Sequence, residues 1–303
     1  MSEQRRGLAL GVAAYLLWGA FPLYWPLLEP AGAVELLAHR VVWSVLTTAL
    51  LVLLLRRRAA LAALLRSPRT RVLLVVAAVT ISVNWATFIY GVNSGHVVET
   101  SLGYFINPLV TVLMGVLVLS ERLRPLQWVA LGLGGAAVAV LTWDYGRPPV
   151  IALTLALSFA VYGLAKKAAG AGAVESLAVE TAIVAPVALA YLAWLGSTGR
   201  AQVGSDGAGH LLLVATSGVV TAVPLLCFGA AATRIPMVTL GLLQYLAPVL
   251  QFALGVLVFG EEMPPGRWAG FALVWLALSL FTLEALRHRR RQLVLAASAS
   301  PAV

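Results

Sequence analysis

The sequence predicts an all-α integral membrane protein: ten transmembrane helices arranged as two inverted five-helix repeats. Three observations predict it. Of the 303 residues, 61% are hydrophobic and only 11% charged, against roughly 25% charged in soluble domains. Apolar runs follow one another from Gly7 to Leu286 and leave no stretch for a soluble domain. Finally, "GVLVLSERLRPLQW" (115–128) returns 140 residues later as "GVLVFGEEMPPGRW" (255–268).

Crossing about 30 Å of hydrocarbon takes some 20 apolar residues. On that basis spans fall at 7–28, 34–55, 71–91, 97–119, 126–143, 149–165, 174–195, 209–231, 237–259 and 267–286. The first follows two arginines as a signal peptide would, but its apolar run is long and no small-residue cleavage site follows, so it is read as a span. The fifth and sixth are the shortest. Between them Trp143, Asp144, Tyr145, Pro148 and Pro149 mark a tight turn, the natural midpoint. The expected organisation is therefore a cytoplasmic N-terminus (1–6), a first repeat (7–143), a second, inverted repeat (149–286) and a basic, disordered cytoplasmic tail (287–303).

Orientation follows from Lys and Arg, which cytoplasmic loops retain during insertion. With the N-terminus inside, 17 of the 21 basic residues lie in cytoplasmic segments, among them Arg56, Arg57 and Arg58, Arg66 to Arg71, Lys166, Lys167 and Arg287 to Arg291. The opposite side holds Arg147, Arg200 and Arg267, and Arg40 falls inside a span. Both termini are then cytoplasmic. An odd-numbered repeat must enter the membrane upside down the second time. The loop "SERLRP" is accordingly cytoplasmic and keeps Arg122 and Arg124, whereas its copy "GEEMPP" is external and has Glu262 and Pro264 there. The repeat extends further: "GAVELL" (32–37) matches "GAVESL" (172–177), and between 108 and 133 nine positions coincide at the offset of 140, including Pro108/Pro248, Glu121/Glu261 and Trp128/Trp268.

Several function classes drop out. The basic balance has no folded surface on which to read a nucleic acid. The chain contains no "GxxxxGK[ST]", "HExxH" or "GxSxG", so neither ATP-driven pumping nor intramembrane hydrolysis is expected; the protein is not read as an enzyme. Cys227 stands alone, which rules out an intrachain disulfide. His96 and Glu99, one turn apart, lack a second ligand pair, and no metal or cofactor is expected.

Inverted repeats are the usual construction of secondary transporters, with the site near the midplane. Pro108 and Pro248 sit mid-span and are expected to kink their helices, freeing the carbonyls of Tyr104 and Gln244. Thr100, Tyr104, Asn107 and Thr111 form one polar stripe, answered in span nine by Gln244 and Gln251; both stripes should face a protein interior or cavity. Charges within spans are costly, so His39, Arg40, Glu99 and Glu180 are candidate site residues. Arg40 and its repeat equivalent Glu180 each lie about 9 Å deep from opposite faces at 1.5 Å per residue, too far apart to pair. Arg40 with His39 is read as drawing anionic solutes, Glu180 as part of an inner gate or a proton carrier, and Glu99 as near the pathway mouth. Trp18, Asn84, Trp85 and Tyr162 complete the expected pathway walls.

The segments "AYLLWGAFPLYW", "HRVVWS", "NWATFIYGVNSGHVVETSLGYFINPLVTVLMGVLVLSERLRPLQW" and "LGLLQYLAPVLQFALGVLVFGE" closely resemble RarD-type proteins of the EamA branch of the drug/metabolite transporter (DMT) superfamily. The resemblance spans nearly the whole chain and implies ten helices, two EamA repeats and a transporter in the cytoplasmic (inner) membrane. It departs at Pro26, where the family pattern has a Lys after "YW". The expected function is secondary transport of a small metabolite or drug, amino-acid-like or amphipathic, by alternating access and in the export direction, with membrane lipid around it and a coupling proton as a further candidate partner. The competing expectation is a non-transporting sensor or assembly partner, which would not need two symmetric midplane kinks.

Overall fold

A computed structural model describes residues 3–119, 123–204 and 207–298 of the chain. Among these the regular structure is helical throughout. In order, the elements are α1 (Glu3–Gly19), α2 (Phe21–Tyr24), a 3₁₀ turn (Trp25–Leu28), α3 (Ala33–Leu54), α4 (Arg58–Arg66), α5 (Pro68–Asn93), α6 (Val97–Leu119) and α7 (Pro125–Tyr145). The second half continues with α8 (Val150–Ala169), α9 (Ala173–Ser197), α10 (Ala208–Ala215), α11 (Ser217–Ala232), α12 (Met237–Leu243), α13 (Leu246–Leu257) and α14 (Pro265–Ser298). Nine helical stretches among the described residues are long and apolar enough to cross a bilayer; α1 with Phe21–Leu28, bent by 45°, makes a tenth if counted as one span. Leu54, Val72, Val187 and Leu257 stand exposed on these helices, an arrangement that water would penalise and lipid tails accept.

Helix packing joins the two halves. α3 lies on α9, α6 on α13 and α7 on α14. Further contacts come in pairs: α5 on α8 and α1 on α11, α6 on α8 and α1 on α13, α3 on α11 and α5 on α9. Glycine sets the closest approach. A Cβ on Gly103 would stand 2.8 Å from the Ala152 carbonyl oxygen and 2.8 Å from Leu155 Cβ, so only a hydrogen there lets α6 reach the α8 backbone. One core cluster joins α6, α7 and α14 through Leu102, Phe105, Leu141 and Phe271, with the Phe252 ring of α13 tilted 4.8 Å from that of Phe271. A second, around Trp25, Leu28, Leu36, Ile89 and Leu155, fixes the bent first span against α3, α5 and α8.

Three departures from the sequence reading have physical causes. The basic tail expected to be disordered from Arg287 continues α14 as far as Ser298, since no Gly or Pro interrupts residues 271 to 300. The loop after span two folds into α4, whose Ala and Leu residues favour helix. And the paired prolines behave differently. Pro108 lies inside the uninterrupted α6. In span nine the helix breaks at Gln244 and Tyr245, and Pro248 falls in the first turn of α13, where its missing N–H costs little. Glu121 and Arg122, expected to matter at the cytoplasmic loop, lie outside the described residues.

Candidate functional site

Arg40 is the most unusual side chain in the interior. It sits on α3, 3% exposed, with its guanidinium carbon 3.9 Å from the centroid of Trp85, 5.0 Å from Trp25 and 5.8 Å from Phe21. The rings hold the cation by their negative faces. Its Nε donates to Thr221 Oγ1 of α11 at 3.0 Å. Among the described residues no carboxylate comes within ion-pair distance of it.

Beside it runs a network centred on Asn84 of α5, 1% exposed. Its amide donates to the Leu155 carbonyl at 3.0 Å and to Ser158 Oγ at 3.1 Å, and its oxygen accepts from the Tyr104 hydroxyl at 3.0 Å. Asn84 is thereby satisfied on both ends. Tyr104 begins a row of rings: Phe88 to Tyr104 at 5.8 Å, Tyr104 to Phe159 at 6.0 Å and Phe159 to Tyr162 at 5.8 Å. The row ends at the second charge. Glu180 of α9, 1% exposed, pairs with Lys166 of α8 at 3.3 Å and accepts from the Tyr162 hydroxyl at 3.3 Å, while Lys166 donates to Tyr162 at 2.9 Å. A crevice too tight for water has Trp85 at one wall and Glu180 at another.

The structure places the other candidates in contacts of their own. Asn107 donates to the Ala156 carbonyl of α8 at 3.1 Å. Gln251, 2% exposed, donates to the Trp18 carbonyl at 3.2 Å, and its buried side-chain oxygen lacks a partner among the described residues. Trp18 packs between Tyr15 and Phe228 at 5.4 and 5.8 Å. Gln244 and His39 are half-buried. Near His39, the Glu35 carboxylate accepts the amides of Gln202 and Val203 at 2.9 Å each and so ties α3 to the loop before α10.

The end of the bundle that carries the start of α6 and the turn between α7 and α8 is bound by a clamp. Glu99, read from sequence as lying at a pathway mouth, is 1% exposed and pairs with Arg147 at 2.8 Å while accepting the Ile151 amide of α8 at 3.0 Å. The Arg147 guanidinium is held above its ordinary range, chiefly by this hydrogen bond. Glu261 accepts the Val97 and Val98 amides at the start of α6, the second at 3.1 Å, as an N-terminal helix end favours an anion. Burial pushes its carboxyl above the usual carboxylate range, against those two hydrogen bonds. Arg267 pairs with Asp144 at 3.3 Å, closing α14 on α7. At the other end a cavity of ≈ 650 Å³ lies between the halves, bordered by Arg57, Thr70, Gly170, Glu175, Gly229 and Thr233.

Sequence reasoning named Arg40, Glu180 and Glu99 but missed Thr221, Lys166 and Arg147, the side chains that hold them. Lys166 had a signal: it stands four residues after Tyr162, on the same helical face.

Comparison with known proteins places this architecture. The chain is 57% identical over 302 residues to Protein RarD of Streptomyces exfoliatus, covering 100% of this chain and 96% of that protein. It is 41% identical to Protein RarD of Escherichia coli, with 95% and 98% covered, and 33% identical to the chloramphenicol-sensitive protein RarD of Pseudomonas aeruginosa, with 95% and 97% covered. A crystal structure of a protein with 21% identity superposes on 93% of this chain and 99% of its own with a TM-score of 0.59, a likeness of fold. The EamA-like transporter family matches twice, at residues 5–143 and 148–283. The buried charges and the membrane-spanning helices that carry them therefore belong to a RarD-type member of the EamA-like transporter family.

Proposed function

We propose that the protein is a secondary transporter that exports a small metabolite or drug across the cytoplasmic membrane by alternating access, with its halves 7–143 and 149–286 inverted and both termini cytoplasmic. The observation that carries this reading is the difference between the two ends. The external end is bound by Glu99–Arg147, Glu261 on the α6 N-terminus and Asp144–Arg267. A cavity of ≈ 650 Å³ opens between the halves at the other. That is the geometry expected of a state closed on the external side, with the Lys166–Glu180 pair still shut beneath the inner cavity.

Two further observations support the inverted pair. Exchanging each span for its equivalent one repeat away maps the packing onto itself: α3 on α9, α6 on α13 and α7 on α14 are their own images, and the remaining principal contacts come in matched pairs. The family also matches each half separately. The pathway runs past Arg40, Trp85, Asn84 and Tyr104 to Tyr162 and Glu180, with Lys166–Glu180 as the inner gate and Glu180 as the group through which a proton couples. His39, Asn107, Trp18, Gln244 and Gln251 border it, and the break at Gln244 supplies the freedom that a rocking span nine needs.

Solute flux in liposomes containing only this protein tests the proposal. Saturable, protein-dependent flux of a small organic solute, accelerated by preloading the opposite side with unlabelled solute, is the expected result. Vesicles that leak no faster than protein-free controls across acids, amines and neutral drugs would overturn it.

A further inference from the structure

Every buried carboxylate among the described residues is already engaged. Glu35 holds the amides of Gln202 and Val203, Glu99 holds Arg147, Glu175 lies 3.5 Å from Arg57, and Glu180 holds Lys166. Arg40 has none left to pair with. A guanidinium carries five N–H donors, and among the described residues only the Nε of Arg40 has a hydrogen-bond acceptor, Thr221. Trp85, Trp25 and Phe21 stabilise its charge through their faces but offer no acceptor to its edge. An unpaired cation in a membrane interior is costly, and such a residue marks a pathway.

We infer that Arg40 is the anchor for the carboxylate of an aromatic carboxylic acid, the solute itself bringing the missing counter-charge. This rests on the transport reading above. A planar carboxylate matches the guanidinium fork in a bidentate manner, which an uncharged amide cannot reproduce. The body of the solute is specified by what surrounds the fork: Trp85 stacked on the cation, and the row Phe88, Tyr104, Phe159 and Tyr162 leading inward. Tyr104 gives its proton to Asn84, so its oxygen remains an acceptor and disfavours a second anionic group on the ligand. The site is thus suited to a single carboxylate on a flat apolar body.

The test titrates the purified protein with phenylacetate and indole-3-acetate, each beside its neutral amide, and reads the heat of binding by isothermal titration calorimetry. The parent should bind each acid at least tenfold more tightly than its amide. Arg40→Gln should abolish that preference, and Arg40→Lys should retain part of it by keeping the charge without the fork. Thr221→Val, which leaves the charge and releases its orientation, should weaken the acids severalfold and leave the amides unchanged; it also serves if Arg40→Gln does not fold. Equal affinity for acid and amide in the parent, or an unchanged ratio in Arg40→Gln, overturns the inference. Liposome flux separates the two levels. Flux of amines or neutral solutes with no acid flux refutes the carboxylate anchor and keeps the transporter, whereas tight acid binding without any flux keeps the anchor and refutes transport.

Discussion

Lys166→Met asks whether the inner ion pair holds α8 to α9. The two charged atoms stand 3.3 Å apart, on side chains 18% and 1% exposed. At an effective dielectric of about 20, unit charges at that distance attract by about 5 kcal/mol, much of it offset by the desolvation of both ions. Removing Lys166 leaves Glu180 with hydroxyl partners such as Tyr162 and no counter-ion. A buried carboxylate without a counter-ion costs about 3–5 kcal/mol, and that is the expected destabilisation. Lys166→Met with Glu180→Gln removes both charges and should return to within about 1 kcal/mol of the parent, recovering about 2–4 kcal/mol of the single-variant loss, a coupling at the upper end of the range for residues in contact. The four proteins can be compared by reversible unfolding in mixed micelles titrated with SDS. Should the single and double variants differ by less than about 0.5 kcal/mol, the ion pair would contribute nothing specific and the inner gate would lose its basis.

Gly103→Val should reduce stability by about 1–3 kcal/mol through overpacking of α6 on α8, seen as lower folded yield and a lower melting temperature; an unchanged melting temperature would show that the two backbones can part without cost. Arg147→Ala should destabilise more than Glu99→Gln, because the first leaves a carboxylate 1% exposed and unpaired while the second leaves only a guanidinium 42% exposed and partly screened by water; thermal unfolding of the pair gives the order. Glu261 has a raised folded pKa, so its contribution to stability is full below its ordinary value of 4.5 and is lost as pH rises through the folded value. Glu261→Gln should flatten that part of the stability–pH curve, and an unchanged slope would refute the assignment. Asn84→Leu should cost about 1–3 kcal/mol by stranding the Tyr104 hydroxyl, and it should also shift the affinity for any ligand that contacts Tyr104.

The spans were legible because lipid demands long apolar runs, and the midpoint because Pro148 and Pro149 cannot continue a helix. The repeat was legible because Pro, Glu and Trp stay in register where Leu and Val drift. Less visible were partners across the fold. Arg147 reaches Glu99 from a loop 48 positions away, and Thr221 reaches Arg40 from 181 away, separations over which residue spacing carries no geometric information. The unequal fates of Pro108 and Pro248 were equally hidden, since identical residues in matching frames are resolved by where each helix happens to break. Arg40 and Glu180 stood out because an intramembrane charge is expensive wherever it lies. What each faces is a property of the packing: three aromatic rings for one, a lysine for the other.

α14 runs for 34 residues without interruption. At 1.5 Å per residue it is about 51 Å long, some 20 Å more than the hydrocarbon it crosses. The last span therefore stands out of the bilayer like a mast. Because it is rooted on α7 through Arg267 and Asp144, and because Arg124 at the start of α7 grips Glu284 at 2.6 Å, its tilt is tied to the first half of the molecule. A probe fixed to its far end would magnify small rotations between the halves into displacements readable by distance measurement, without touching the pathway.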